Sequence, residues 1–260
     1  MDLSPQFVSP ELAVVMPVYN EAANIGAVLR EWFAVLQTAA PRFILFAIND
    51  GSKDNTAAEL RSLERELGPQ LRVINKPNSG HGRSCRRGYE LALAEGATWI
   101  FQIDSDGQCD PLYFPALYRS RGGSDCVFAY RRTRGDGCGR LVISRLCRAL
   151  LWLVTGAYLP DANVPYRLVR AGALRRALRR VPADIDLQNI ALALALKREP
   201  ELRWKYCPIH FRPRQGGQNS INYGKIAQMG VAFLRDIHRI SDEDSHTRWR
   251  PRWARRRVAS

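Results

Sequence analysis

LAVVMPVYNE, at residues 12–21, is an unbroken apolar run that ends abruptly in polar residues. The same change recurs in FILFAINDGS at 43–52 and in WIFQIDSDGQ at 99–108. Apolar runs of this length, without alternating polar residues, are typical of strands that are covered on both faces of a parallel sheet. The strands predicted from this pattern are residues 12–16, 43–48, 71–74, 99–103 and 126–129.

Helical patterns separate these strands. Strands that alternate with helices of about 10 to 15 residues predict βαβ units and a parallel sheet. The fold class is therefore predicted to be α/β, with a mostly parallel, Rossmann-like sheet flanked by helices. The predicted helices are 22–36, 55–67, 82–95 and 111–118 in the first half, then 139–159, 171–180, 186–196 and 225–240, with a strand near 204–209.

The chain is strongly basic. It has 39 Lys and Arg against 25 Asp and Glu, a formal net charge of +14. Such a surplus favours anionic partners, namely phosphorylated substrates, acidic lipid headgroups or nucleic acid. A basic nucleic-acid-binding protein is one interpretation, but interleaved aromatics are found only in the Arg/Trp tail at 241–260, and the motifs of such modules are missing. No nucleic-acid partner is expected.

Cysteine spacing and hydropathy exclude two further classes. The six cysteines show no Cys-x-x-Cys spacing, so free thiols are expected rather than a structural zinc site. Residues 1–10 lack the basic start and apolar stretch of a signal peptide. The longest apolar run, 149–154 and slightly beyond, is far shorter than the ~20 residues of a spanning helix. The chain is therefore not expected to cross a membrane by itself.

Acidic residues follow three of the predicted strands: Glu21 the first, Asp50 the second, and Asp104 and Asp106 the fourth. Ligands of open parallel sheets bind beyond the carboxyl ends of the strands, so four acids are expected at one rim. Their mutual repulsion predicts a cation there. Asp104 and Asp106 suit Mg²⁺, which one or two carboxylates commonly hold together with substrate phosphates. No Gly-x-Gly-x-x-Gly or Walker-type loop follows the first strand, which argues against dinucleotide oxidoreductases and P-loop nucleotidases.

In order and spacing, the motifs over about residues 12–222 resemble the large second family of inverting glycosyltransferases. Within that family they look most like the dolichyl- and polyprenyl-phosphate sugar synthases. The motifs are PVYNE (17–21), NDGS (49–52) with Asp54 and Thr56, NSGHG (78–82), DSDGQ (104–108), DANVPYR (161–167), and PIHFRPRQGG (208–217) with Asn219 and Ser220. Three places depart from the usual pattern: Asn49 stands for Asp, His81 for Lys, and Pro165 with Tyr166 for Gly-Phe.

The resemblance implies a GT-A fold, a nucleotide-diphosphate sugar as donor, and Mg²⁺ or Mn²⁺ as cofactor. The expected organisation is a domain at 1–222, with a nucleotide-binding half at about 11–130 and an acceptor half at about 131–222, followed by a helix and basic tail at 223–260. The resemblance assigns donor binding to Pro17, Tyr19, Glu21, Asp50, Asp104, Asp106 and Gln108, with Asp104 and Asp106 as metal ligands and Asp106 and Asp161 as catalytic residues. It assigns an acceptor phosphate to Arg131, Arg145 and Arg167, and a loop that closes over the site to Arg212, Arg214 and Ser220.

Two acceptor classes remain open. A phosphate monoester has a second pKa near about 6 and is already an anionic nucleophile at neutral pH. An alcohol on a saccharide or another soluble acceptor would need a general base, for which Asp161 is the candidate. The basic helix at 139–159 and the Arg/Trp tail suit a membrane surface, where a polyprenyl phosphate would be reached. The predicted location is cytoplasmic, peripheral on the cytoplasmic membrane face.

Overall fold

The computed structural model describes residues 9–131, 159–185 and 188–212. Several predicted features lie outside these ranges, either completely or with only one terminal residue inside them. These are the helix at 139–159, the loop at 212–222, the helix at 225–240 and the tail at 241–260.

The first half of the chain alternates strands and helices as the apolar pattern predicts. The first helix begins at Ile25 rather than at residue 22, because residues 22–24 form a turn. The predicted helix at 111–118 is a short 3-10 turn, Pro111–Tyr113, followed by an α-helix. The elements are β1 (Leu12–Val18), α1 (Ile25–Ala39), β2 (Phe43–Asp50), α2 (Thr56–Leu67), β3 (Leu71–Lys76), α3 (His81–Ala94), β4 (Trp99–Ile103), α4 (Phe114–Arg119) and β5 (Cys126–Arg131).

The second half contains one strand that the pattern does not predict. The elements are β6 (Tyr166–Arg170), α5 (Ala171–Arg180), α6 (Gln188–Lys197) and β7 (Trp204–Ile209). The bounds of α5 and β7 are those predicted, whereas β6 was missed. Its sequence, YRLVR, places a charged residue inside a short strand, and neither an apolar run nor a simple alternation marks it.

The seven strands form one sheet in the order β3-β2-β1-β4-β6-β5-β7. The pairs β1–β2, β1–β4 and β2–β3 are parallel, and so is the pair β5–β7. β6 is antiparallel to both of its neighbours, β4 and β5. The prediction of an α/β fold with a mostly parallel sheet is confirmed, while the division into two halves near residue 130 stays a prediction.

Helices cover both faces of the sheet, which explains why every residue of β1 and β2 is buried. On one face, Trp32 of α1 lies 5.7, 6.1 and 5.9 Å from the rings of Phe101, Phe114 and Tyr166. α3, α5 and α6 cover the opposite face. No helix within the described ranges combines the length and the apolar character that crossing a bilayer requires.

A glycine sets the distance between α3 and the sheet. A Cβ atom at Gly88 would lie 2.3 Å from Cγ1 of Val15 in β1. No side chain fits between the helix and the strand at this point, so the close packing of α3 depends on the missing Cβ.

We expect Gly88→Ala to lower the free energy of unfolding by about 1–3 kcal/mol, because the added methyl group overpacks a buried contact. Gly172→Ala in the first turn of α5 is the matched control, since the nearest atom to its added Cβ is a flexible Arg176 Nη1 at 3.7 Å. That control should be neutral or slightly stabilising. Urea unfolding measures both, and equal stability of the two variants would contradict the packing argument.

Candidate active site

The carboxyl ends of β1, β2 and β4 and the first turn of α3 surround a cavity of about 430 Å³. The four acids that the sequence places at one rim, Glu21, Asp50, Asp104 and Asp106, all line it. The remaining lining residues are Pro17, Val18, Tyr19, Asn78, Gly80, His81, Ser84 and Ser105. The structure therefore brings six of the seven predicted donor-binding residues together.

Asp50, the last residue of β2, is held by the protein on both carboxylate oxygens. Its side chain is only 5% exposed. Lys76, the residue of β3 that pairs with Asp50, donates to Oδ1. The backbone N–H groups of Ser79 and Gly80 donate to Oδ1 and Oδ2 at 2.9 and 2.8 Å. Burial alone would raise the pKa of Asp50, but these hydrogen bonds and the Lys76 charge outweigh it and lower the pKa. The ionised carboxylate thus anchors the turn after β3.

The turn between β3 and α3 rests directly on the end of β2. Asn78 Nδ2 donates to the carbonyl oxygen of Asp50 at 2.8 Å. A Cβ atom at Gly51 would lie 2.7 Å from the Asn78 backbone nitrogen, and Gly51 has a φ of +63°. Both the space and the backbone conformation therefore require glycine.

His81 begins α3 and contacts Asp104, with Nε2 2.9 Å from Oδ1. The Sγ atom of Cys85, one turn along α3, lies 3.8 Å from His81 Nδ1. The Cys85 sulfur and the Asp104 carboxylate raise the pKa of His81 well above its usual value. Behind them, Gln102 donates to Cys85 Sγ at 3.5 Å and accepts from the Tyr89 hydroxyl at 2.6 Å. A polar chain of Tyr89, Gln102 and Cys85 therefore leads from the core to His81 at the cavity.

Asp104 and Asp106 follow β4 on either side of Ser105. Asp106 Oδ1 accepts a hydrogen bond from the Gln108 backbone N–H at 3.1 Å. Within the described ranges, no group of three or more His, Cys, Asp or Glu side chains is placed to hold a metal ion. Two carboxylates nevertheless fit a hard divalent cation such as Mg²⁺ or Mn²⁺, because substrate phosphates and water commonly complete its coordination.

Glu21 joins the loop after β1 to the start of α2. Its backbone N–H donates to Thr56 Oγ1 at 2.9 Å, and its carboxylate accepts from Asn24 Nδ2 at 3.4 Å. Asp54 ties the same two segments by accepting from the Ala22 backbone N–H at 3.2 Å. These contacts hold the buried Glu21 at the cavity wall.

Gln108 and Arg212 contact each other and are not among the lining residues of this cavity. The Arg212 backbone N–H donates to the Gln108 carbonyl at 3.0 Å. Arg212 Nη1 binds both carboxylate oxygens of Glu31 at 2.7 and 2.8 Å, and Nη2 binds Asp110 at 2.8 Å. The Arg212 guanidinium is thus occupied by the protein, and its contact with a donor stays a prediction.

Arg131, the predicted cation for an acceptor phosphate, and Asp161, the predicted base for an alcohol acceptor, form an ion pair. Arg131 Nε and Nη2 donate to the two Asp161 carboxylate oxygens at 2.6 and 2.9 Å. Arg131 Cζ also lies 5.3 Å from the centre of the Phe211 ring. A bidentate pair fixes the geometry of both groups, so the predicted phosphate-binding cation and the predicted base are held together.

Arg167, which the resemblance assigns to an acceptor phosphate, lies inside the protein, and that assignment stays a prediction. The residue is 1% exposed and donates to the carbonyl oxygens of Ala162, Val164 and Asn189, the closest at 2.5 Å. Its guanidinium also lies 4.9 Å from the Phe128 ring centre. A buried cation needs such partners, so the structure gives Arg167 a role in the internal framework of β6.

The sequence did not identify every residue of the cavity. Lys76 and Ser84, which neutralise or line it, received no role, whereas Asn78, Gly80 and His81 were recognised only as members of the NSGHG motif. The sequence signal that could have identified Lys76 is its position two residues after the third predicted strand. In a parallel pairing this position lies beside Asp50, which follows the second predicted strand by the same distance. The predicted site residues that lie outside the described ranges are Arg145, Arg214 and Ser220.

Comparison with known proteins gives the family. The family model for glycosyl transferase family 2 matches residues 13–180, which is more than half of the chain. The matched region runs from β1 to the end of α5 and contains all four acids of the cavity. The chain belongs to glycosyl transferase family 2.

Two curated relatives are similar along much of this chain. The dodecaprenyl-phosphate galacturonate synthase of Rhizobium johnstonii is 27% identical over 172 residues, which cover 65% of this chain and 50% of the relative. The undecaprenyl-phosphate 4-deoxy-4-formamido-L-arabinose transferase of Edwardsiella ictaluri is 27% identical over 226 residues, covering 86% and 66%. The chain thus spans about half to two thirds of the length of these relatives.

Solved structures share the fold. Glucosyl-3-phosphoglycerate synthase from Mycobacterium tuberculosis, crystallised with Mn²⁺, uridine diphosphate and phosphoglyceric acid, superposes with a TM-score of 0.64 at 20% identity, covering 88% of this chain and 78% of that one. Mannosyl-3-phosphoglycerate synthase from Rubrobacter xylanophilus gives 0.64 at 14% identity, covering 92% and 76%. Both support the predicted GT-A fold.

We expect Asp50→Asn to lower the free energy of unfolding at neutral pH by about 2 kcal/mol, because it leaves Lys76 without its buried partner. The folded pKa of Asp50 is lowered, so its contribution is complete above the unfolded pKa of about 3.9. It disappears as the pH falls through the folded value. Urea unfolding at neutral and acidic pH should show the difference from the wild type shrinking below about pH 4.

Glu66→Gln is the control for this experiment. It removes a carboxylate that also accepts hydrogen bonds on both oxygens, here from Arg30, but in an exposed pair. Exposed pairs contribute little, so this variant should unfold like the wild type. A difference between Asp50→Asn and the wild type that stayed constant with pH would argue against a lowered pKa.

Proposed function

We propose that the chain is a metal-dependent, inverting glycosyltransferase that takes a sugar from a nucleotide-diphosphate donor. The observation that carries the proposal is the grouping of Asp50, Asp104 and Asp106 with His81 around one cavity of about 430 Å³. A cavity of this size falls within the range of small-molecule sites. Membership of glycosyl transferase family 2 supports the same activity.

The donor diphosphate is assigned to the space between the acids after β4 and the first turn of α3. The backbone N–H groups that begin α3 favour an anion there, and the raised pKa of His81 favours its protonated form beside them. Asp104 and Asp106, as an Asp-x-Asp motif, would hold Mg²⁺ or Mn²⁺; the related-fold synthase crystallised with Mn²⁺ and uridine diphosphate is a precedent. When bound, the metal offsets the charge that develops on the leaving diphosphate.

Sugar transfer is proposed to be a single displacement at the anomeric carbon. The acceptor oxygen forms its bond to this carbon while the bond to the diphosphate oxygen breaks, so the configuration inverts once. Asp106 holds the Gln108 backbone; the Gln108 side chain, which donates to the Arg212 carbonyl at 3.5 Å, is assigned to the sugar on the strength of the motif alone.

The proposed acceptor is polyprenyl phosphate, the acceptor class named for both curated relatives. Such a phosphate is already anionic at neutral pH, so it needs a cation rather than a base. Arg131 would supply that cation, and the incoming phosphate would compete with Asp161 for the guanidinium. A soluble acceptor is the alternative, favoured by the phosphoglyceric acid in the related-fold synthase, and an alcohol would use Asp161 as its base.

A polyprenyl phosphate would be met at a membrane surface. We therefore propose that the protein acts peripherally, on the cytoplasmic face. The net charge of +14 supports this location, because anionic lipid attracts each nearby cation by about 1 kcal/mol.

A thermal-shift screen of nucleoside diphosphates with and without Mn²⁺ tests donor binding. One nucleotide should raise the melting temperature only when Mn²⁺ is present; saturation at 100 times Kd stabilises a fold by about 2.7 kcal/mol. The double substitution Asp104→Asn with Asp106→Asn should abolish this shift, because it removes both metal-binding charges. Glu66→Gln should retain it. A shift of full size in the double variant would rule out the assigned metal site.

Asp161→Asn separates the two acceptor classes. With a phosphate acceptor we expect less than about tenfold loss of kcat, since no proton has to be removed, whereas loss of a general base costs about 10²–10⁴-fold. Arg131→Gln should raise KM for polyprenyl phosphate with a smaller effect on donor KM. A large loss in Asp161→Asn, accompanied by loss of the lower limb of the pH profile, would favour the alcohol acceptor.

A further inference from the structure

Arg212 lies at a junction of three segments. Its guanidinium bridges two carboxylates, Glu31 of α1 and Asp110 at the end of the loop after β4, at 2.7–2.8 Å. Its backbone N–H donates to the Gln108 carbonyl in the same loop at 3.0 Å. The side chains of Arg212, Asp110 and Glu31 are 26%, 15% and 47% exposed, so the Asp110 half of the bridge is the half that is shielded from water.

The bridge contacts the loop of residues 104–110 at Gln108 and Asp110, which do not line the cavity. At its far end, the Asp110 carbonyl accepts from the Tyr166 hydroxyl at 3.1 Å, and Cys109 Sγ donates to the Pro165 carbonyl at 3.2 Å. The loop is thereby fixed to β6 as well as to Arg212. Its near end carries the carboxylates that line the cavity.

A short chain of hydrogen bonds leads from Arg212 to the Asp106 carboxylate. Asp106 Oδ1 accepts from the Gln108 backbone N–H, and the Gln108 carbonyl accepts from Arg212. Displacement of Arg212 would therefore move the peptide groups that orient the Asp106 side chain.

We propose that Arg212 is a positioning residue that, through Glu31 and Asp110, holds the loop of residues 104–110 in the geometry that binds the metal and the diphosphate. Arg212 thus acts from outside the cavity. Without its charge, Glu31 and Asp110 would face each other as like charges, and the loop would lose its contact with α1. A preorganised site binds its ligand more tightly because less ordering is needed on binding.

This inference rests on the proposed function, and its test uses binding of Mn²⁺ with a nucleoside diphosphate to the full chain. Calorimetry of wild type, Arg212→Ala and Glu31→Gln gives the affinities for Mn²⁺ and the nucleotide. We expect Arg212→Ala to weaken Mn²⁺-dependent nucleotide binding by about tenfold, with a smaller loss in Glu31→Gln. Arg212→Lys should lie between, because an ammonium cannot span both carboxylates as a planar fork does.

Arg30→Ala is the matched control. Arg30 neighbours Glu31 on α1 and makes a bidentate pair with Glu66 at 2.7 Å, but it does not contact the loop of residues 104–110. Its affinities should equal those of the wild type. A merely structural role for Arg212 would lower the melting temperature and the active fraction while leaving the Mn²⁺ affinity of the folded protein unchanged.

A double-mutant cycle completes the test. If Arg212 and Glu31 act through one bridge, the double variant Arg212→Ala with Glu31→Gln should bind hardly more weakly than Arg212→Ala alone. Fully additive losses, or wild-type Mn²⁺ affinity in folded Arg212→Ala, would overturn the inference. If the wild type itself binds no nucleoside diphosphate with Mn²⁺, the proposed function fails instead.

Discussion

The carboxylate of Asp50 accepts hydrogen bonds from Lys76 and from the backbone of Ser79 and Gly80. Through these bonds, the end of β2 determines where β3 ends and where α3 begins. The start of α3 in turn places His81 against Asp104 at the end of β4. One carboxylate therefore links three parallel strands and a helix, and the shape of the cavity depends on this contact.

The same arrangement addresses the electrostatic cost of several acids at one rim. The sequence predicts a bound cation as the remedy, but the protein supplies part of the remedy itself. Lys76 pairs with Asp50 and His81 pairs with Asp104. The wall of the cavity is thus folded and charge-balanced in part before any ligand arrives, and a metal with a diphosphate would add one cation and its anion together.

The sequence predicts the features that depend on the strands. Apolar runs mark β1, β2 and β4, and the parallel arrangement follows from their alternation with helices, so the acids after them meet at one edge. The sequence could not reveal features that depend on burial. Arg167 sits in a matched motif, yet its position within β6, with its charge satisfied by backbone carbonyls, is set by tertiary contacts. The partnership of Lys76 with Asp50 likewise depends on strand register.

Two adjacent residues after β7 connect the groups proposed to bind the donor with those proposed to bind the acceptor. The Phe211 ring lies beside Arg131, whose guanidinium is held by Asp161, while Arg212 holds the loop that carries Asp106. Because neighbouring residues of a chain cannot move independently over such short distances, a shift of this segment would reach both sides at once. The ion pairs at its two flanks therefore fix the relative placement of the groups proposed to bind donor and acceptor, as the proposed in-line displacement requires.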